Sequence, residues 1–203
     1  KQLQQDGKKI INLGIGNPDM APDPEVTKIA RHFLESPDVH GYANYPGHED
    51  LLEAFAKWFK HHLGVPLSPS EALVSMGGKE AIMMVSLAFL NPGDKVLIPD
   101  PGYPAYASAA YIAGAEPVRY PLSLGKGYIP DFEALKVDFS RVKILWVNYP
   151  HMPTGARASQ DDFREMKAFA ARNNILIVND NPYAFVRNDR PLSILEEPAI
   201  EGN

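Results

Sequence analysis

Leu176-Ile177-Val178-Asn179-Asp180-Asn181-Pro182-Tyr183 runs an apolar segment directly into a carboxylate and a proline turn. Leu176 to Val178 reads as a short buried strand, because a continuous apolar run bounded by turn residues can pack on both faces. The same grammar recurs upstream. Lys95 to Ile98 leads into Asp100-Pro101-Gly102-Tyr103, and Val142 to Val147 leads into Asn148-Tyr149-Pro150. Leu73-Val74-Ser75 reads as a strand ahead of Gly77-Gly78-Lys79, and Glu116 to Tyr120 as another. Helical patterns lie between them, at Lys79 to Leu90, Pro104 to Ala113 and Gln160 to Ala171. Strands that alternate with helices predict an α/β fold, three-layer α/β/α, whose mostly parallel sheet is covered on both faces.

Further out, Asp50 to Leu63 places Leu51, Leu52, Phe55, Trp58 and Phe59 on one helical face, and Pro24 to Leu34 does so with Val26, Ile29, Ala30 and Phe33. The helix Lys79 to Leu90 is apolar nearly all round, which predicts a buried helix with Met83 and Met84 as core filler. A strand-like run, Ile10 to Leu13, precedes the turn-rich Gly14 to Asp19. The chain has 203 residues, is 45% hydrophobic and 22% charged, and carries a net charge of -5. That balance is ordinary for a globular protein and gives no reason to expect nucleic acid as a partner. There is no cysteine, which removes disulfides and cysteine-based metal sites, and a reducing cytoplasm suits such a chain. No apolar run approaches membrane-spanning length, so no membrane partner is expected.

In open α/β sheets, ligands sit outside the carboxyl ends of the strands. The polar tails of four apolar runs therefore point to one site. Gly77-Gly78 ahead of a helix lets an anion approach free backbone N–H groups, although a tight turn would use the same residues. Tyr103 can lie against an aromatic ring or simply pack. Asp180, at the edge of an apolar core, needs a cationic partner or several donors to stay ionised; capping a helix is its plainer role.

Taken together, Tyr42 to Gly47, Met76 to Ala81, Asp100 to Tyr103, Pro153-Thr154-Gly155 and Asp180 to Tyr183 resemble the ordered motifs of class I/II aminotransferases, which are fold-type I pyridoxal-phosphate (PLP) enzymes. The resemblance runs from about Ile11 to Ser193, and the Gly14 to Ala21 and His40 to Gly47 segments are similar to the LL-diaminopimelate aminotransferase branch. It implies a large PLP-binding domain over residues 41–203, incomplete at its C-terminal end, and a segment of the small domain over 1–40. It makes Asp180 the partner of the protonated ring nitrogen, Tyr183 a donor to the phenolic oxygen and Tyr103 the ring that stacks. Backbone groups of Gly78 and Lys79 would hold the phosphate. Tyr42 would reach the cofactor of a partner subunit, which implies a homodimer, and Gly16 would approach the substrate carboxylate.

Two departures stand out. Met152 occupies the place of the asparagine that bonds the phenolic oxygen in the family, and a thioether cannot donate that bond. Asn148, in the same loop, is a further candidate. The Schiff-base lysine of the family lies beyond the Asp-x-x-Tyr motif, and here no lysine follows Lys167. The chain is accordingly expected to be a fragment with no catalytic residue of its own. The resemblance implies transfer of an amino group between an L-amino acid and a 2-oxo acid in the intact protein. A carbon–sulfur lyase of the same fold and a non-catalytic sensor domain are the alternatives. A dinucleotide reading of Gly14-Ile15-Gly16 fails at Pro18 and Asp19. His40, His61 and His62 lack carboxylates at ligand spacing, so no metal site is expected.

Overall fold

The computed structural model describes residues 2–11, 16 and 18–196. The chain divides into two compact units, Lys1–Ala43 and Asn44–Asn203. The first contains helices α1 (Gln2–Gln5) and α2 (Pro24–Glu35). α2 begins where the Asp23 carboxylate accepts from the Glu25 amide at 2.8 Å, with Pro24 in the first turn. Both features favour a helix start. Its apolar residues Val26, Ile29 and Phe33 are exposed. Ile10 and Ile11 have no regular structure. Asn12 and Leu13, which complete the expected strand, lie outside the described residues, as do Gly14, Ile15 and Asn17 of the following turn.

The second unit contains α3 (Glu49–Leu63), α4 (Gly78–Phe89), β1 (Lys95–Asp100), α5 (Pro104–Ile112), β2 (Glu116–Pro121), β3 (Val142–Val147), α6 (Gln160–Arg172) and β4 (Leu176–Asn179). The four strands form one sheet in the order β2-β1-β3-β4, with every pairing parallel. Alternation along each strand divides the core in two. Leu97, Leu145 and Val147 pack with Phe163, Met166 and Phe169 of α6. Val96, Ile98, Ile144 and Trp146 pack with Ile82 of α4 and Tyr106, Ala109 and Ala110 of α5. The result is the three-layer α/β/α arrangement that the sequence predicts.

Three expectations need correction. Leu73-Val74-Ser75 is not a strand; the Val74 amide donates to the Pro46 carbonyl at 2.8 Å, and the run joins no sheet ladder. An apolar triplet supplies β-propensity, but strand formation also needs a neighbour in register. α4 is not buried all round either. Ile82 and Ser86 are buried, whereas Met84, Leu87 and Phe89 are exposed. Only one stripe of this helix meets the sheet, so Met83 is half-buried and Met84 lies on the surface rather than filling the core. Among the described residues, no helix is long and apolar enough to cross a membrane.

Candidate functional site

The helices on either side of β1 in sequence, α4 and α5, both begin at the same cavity. α4 starts at Gly77, whose φ of 100° is left-handed and favours glycine. The first bond back to Gly77 comes from the Glu80 amide at 3.1 Å. The amides of Gly78 and Lys79 precede it and are the orphan donors of a helix start. A side chain on Gly78 would meet nothing within 4 Å, so this end of the helix is open to a ligand. After β1, the chain turns so tightly that a Cβ on Gly102 would run into the Pro99 carbonyl and ring. That turn places Tyr103 at the N-cap of α5 and Tyr106 in its first turn.

Asn148 follows β3 and is buried. Its side-chain amide donates to the Asp180 carbonyl at 2.6 Å and accepts from the Met152 amide at 2.8 Å. The Asp180 amide in turn donates to the Val147 carbonyl at 2.9 Å. Asp180 is therefore held by its own backbone on both sides. Its Oδ2 accepts from the Tyr106 hydroxyl at 2.7 Å. Burial raises the Asp180 carboxyl above its ordinary value, and the Tyr106 bond opposes that rise. Tyr106 itself is pushed far above the usual tyrosine range, first by burial and then by Asp180, so it stays a donor. The residues after Asp180 form turns, not a helix, which removes the capping role.

Gly78, Lys79, Tyr103, Asn148, Met152, Asp180 and Tyr183 all line one cavity of about 280 Å³. The four polar tails do converge, although only three of them follow strands. Gly16 and Tyr42 belong to the Lys1–Ala43 unit, where both are exposed. Tyr106 also lines the cavity and was not among the residues singled out from sequence. Its signal is a tyrosine three residues after Tyr103: a buried hydroxyl needs a partner, and this spacing puts both rings at one helix start. The cavity offers amide donors for an anion, an aromatic face and a half-buried carboxylate for a cation. A larger groove of about 700 Å³ runs beside β4; its lining includes Trp58, Phe59 and Ile177 together with the polar Lys167, Asn179, Asn181, Ser193 and Glu196.

The family model for aminotransferase class I and II matches residues 8–195. The chain belongs to this family. LL-diaminopimelate aminotransferase of Dehalococcoides mccartyi is 40% identical over 194 residues, which cover 94% of this chain and 50% of that protein. Transaminase BacF of Bacillus subtilis is 39% identical over 201 residues, 97% of this chain and 50% of the relative. The class I and II aminotransferase chain thus spans about half the length of the relatives it matches. Solved structures agree on the fold. Apo-BacF superimposes with a TM-score of 0.87 at 36% identity, covering 96% of this chain and 50% of its own. A probable N-succinyldiaminopimelate aminotransferase from Thermus thermophilus gives 0.88 at 31% identity, covering 97% and 54%.

Proposed function

We propose that this chain is the cofactor-holding part of an aminotransferase that moves an amino group between an L-amino acid and a 2-oxo acid by means of pyridoxal 5'-phosphate. The observation that carries this reading is one cavity combining a helix amino end, a tyrosine face and a carboxylate in a partly desolvated place. Those donors fit the group. The open helix start suits a phosphate, and a carboxylate whose burial disfavours its charge suits a protonated ring nitrogen. When bound, PLP supplies an electron sink for the negative charge left at the substrate α-carbon.

The chain's own residues then divide the work. The Gly78 and Lys79 amides bind the phosphate, which leaves the Lys79 side chain without a required role. Asp180 holds the proton on the ring nitrogen, and Tyr103 covers the ring and keeps water from that face. The Tyr183 hydroxyl donates to the phenolic oxygen; Met152 forms the wall beside it without donating. No lysine follows Lys167, and Lys167 is itself buried, its Nζ donating to the Ile194 carbonyl at 3.3 Å. In the family that this chain resembles, the lysine that bonds the cofactor follows the Asp-x-x-Tyr motif, a place that no lysine of these 203 residues occupies. A cytoplasmic homodimer completes the proposal, with fully exposed Tyr42 offered to the partner's phosphate and Gly16 to the substrate carboxylate.

The test is the visible absorption of the intact, PLP-loaded protein against a panel of amino acids and 2-oxo acids. The expected result is a cofactor band bleached by one donor class and restored by a 2-oxo acid. Product release with no acceptor consumed would replace transamination with a lyase reaction. A band that no donor changes would replace it with a sensor.

A further inference from the structure

Tyr106 is a buried polar side chain of the cavity to which the reading above gives no task. It is 1% exposed, and its ring stacks on Trp146 with centroids 5.1 Å apart and planes at 12°. Tyr103 meets it edge-on at 5.8 Å and 81°. These contacts leave the ring little rotational freedom, so the hydroxyl points at one place. That place is Asp180 Oδ2, at 2.7 Å and across 74 positions of sequence. Among the described residues, this is the only hydrogen bond recorded to the Asp180 carboxylate, and it leaves the second oxygen for a ligand.

We propose that Tyr106 is a positioning residue for Asp180: its hydroxyl fixes the carboxylate's orientation and stabilises its charged form, so that the other oxygen meets the cofactor's ring nitrogen. The proposal rests on the PLP reading of the cavity. Physically, a carboxylate at the edge of an apolar layer has two ways to relieve its desolvation, by taking a proton or by accepting donors. A tyrosine held protonated by its own burial provides a permanent donor without adding a positive charge. A lysine or arginine in its place would neutralise Asp180 and compete with the ring nitrogen for it. The Tyr106–Tyr103 edge contact has a further consequence: the residue aiming the carboxylate also braces the ring that covers the cofactor.

Tyr106→Phe in the intact protein tests this, because it removes one oxygen and keeps the packing. Tyr120→Phe is the control. That tyrosine is equally buried, but its hydroxyl donates to the Trp146 carbonyl at 2.7 Å rather than to Asp180. Two readouts are needed, neither of them turnover. The first is the carboxyl 13C titration of Asp180 in cofactor-free protein, assigned by its loss in Asp180→Asn. Tyr106→Phe is expected to move it to higher pH, and Tyr120→Phe to leave it unchanged. The second is PLP affinity, expected to fall roughly tenfold to a hundredfold, as for a lost hydrogen bond to a charged group. An unmoved titration in Tyr106→Phe, or equal shifts in both variants, overturns the proposal. Failure of the wild-type protein to bind PLP overturns the functional reading instead, and the titration still decides whether Tyr106 governs Asp180.

Discussion

The two faces of the sheet are built from alternate residues of the same strands, yet they end their buried hydroxyls differently. In the α6-side core, Tyr120 donates to the Trp146 carbonyl and Tyr149 to the Tyr128 carbonyl, at 2.7 Å and 2.6 Å. Both bonds close on the backbone, and the layer is finished as a piece of packing. In the α5-side core, Tyr106 donates to a side-chain carboxylate that lines a cavity. Burial raises the pKa of all three tyrosines, so all three remain donors. The acceptor separates a core that closes on its own backbone from one that opens onto a cavity.

Substitutions can break or sharpen this contrast. The largest effect is expected at Asp180→Ala, which strands the cationic ring partner. Removing one member of a buried pair costs about 3–5 kcal/mol, or roughly two to four orders of magnitude in cofactor-dependent activity. Steady-state assays read this loss, and a folded circular-dichroism spectrum of the variant shows that it is local. Phe169→Ala is the counterpart on the other face. Its ring stacks on Phe132 at 4.1 Å and 8°, so truncation should destabilise by about 3–5 kcal/mol in urea unfolding. PLP affinity measured well below the midpoint should not change; if it falls with stability, the two faces are not separable. Gly102→Ala should cost about 1–3 kcal/mol through overpacking and also weaken PLP binding, because the turn that presents Tyr103 must shift.

The smallest effect is a pH dependence. Burial holds the Asp180 carboxyl above its ordinary 3.8 in the ligand-free fold, so the native state keeps this proton longer than the unfolded chain does. The resulting stabilisation is complete below the unfolded value and is lost as pH rises through the native one. Asp180→Asn removes that loss. The variant should therefore gain on the wild type as pH rises from about 4 towards neutrality, by urea midpoints of cofactor-free protein. A constant difference would mean that Asp180 ionises in the fold as it does in the open chain.

Much of this was legible in sequence for a definite reason. The middles of β1 and β3 are apolar runs buried on both faces, and such continuity is visible without knowing a single neighbour. Leu73-Val74-Ser75 has the same appearance and fails, because pairing is decided by distant residues that a local pattern does not contain. The strand-end residues that line the cavity are marked in the sequence by turn chemistry. Tyr106 was hidden inside a helical stripe where an aromatic reads as packing, and its partner stands 74 positions away. The exposed face of α4 escaped for a similar reason: hydrophobicity shows what a residue tolerates, while burial depends on what arrives to cover it.

Asn148 carries one last implication. It fastens the loop after β3 through the amide of Met152, so the geometry of that loop is indifferent to which side chain position 152 bears. Exchanging the side chain at position 152 does not remove either partner of this hydrogen bond. Position 152 is in this sense a dial rather than a strut. A change of side chain there alters the polarity at one corner of the cavity while the bond from its backbone amide to Asn148 remains available.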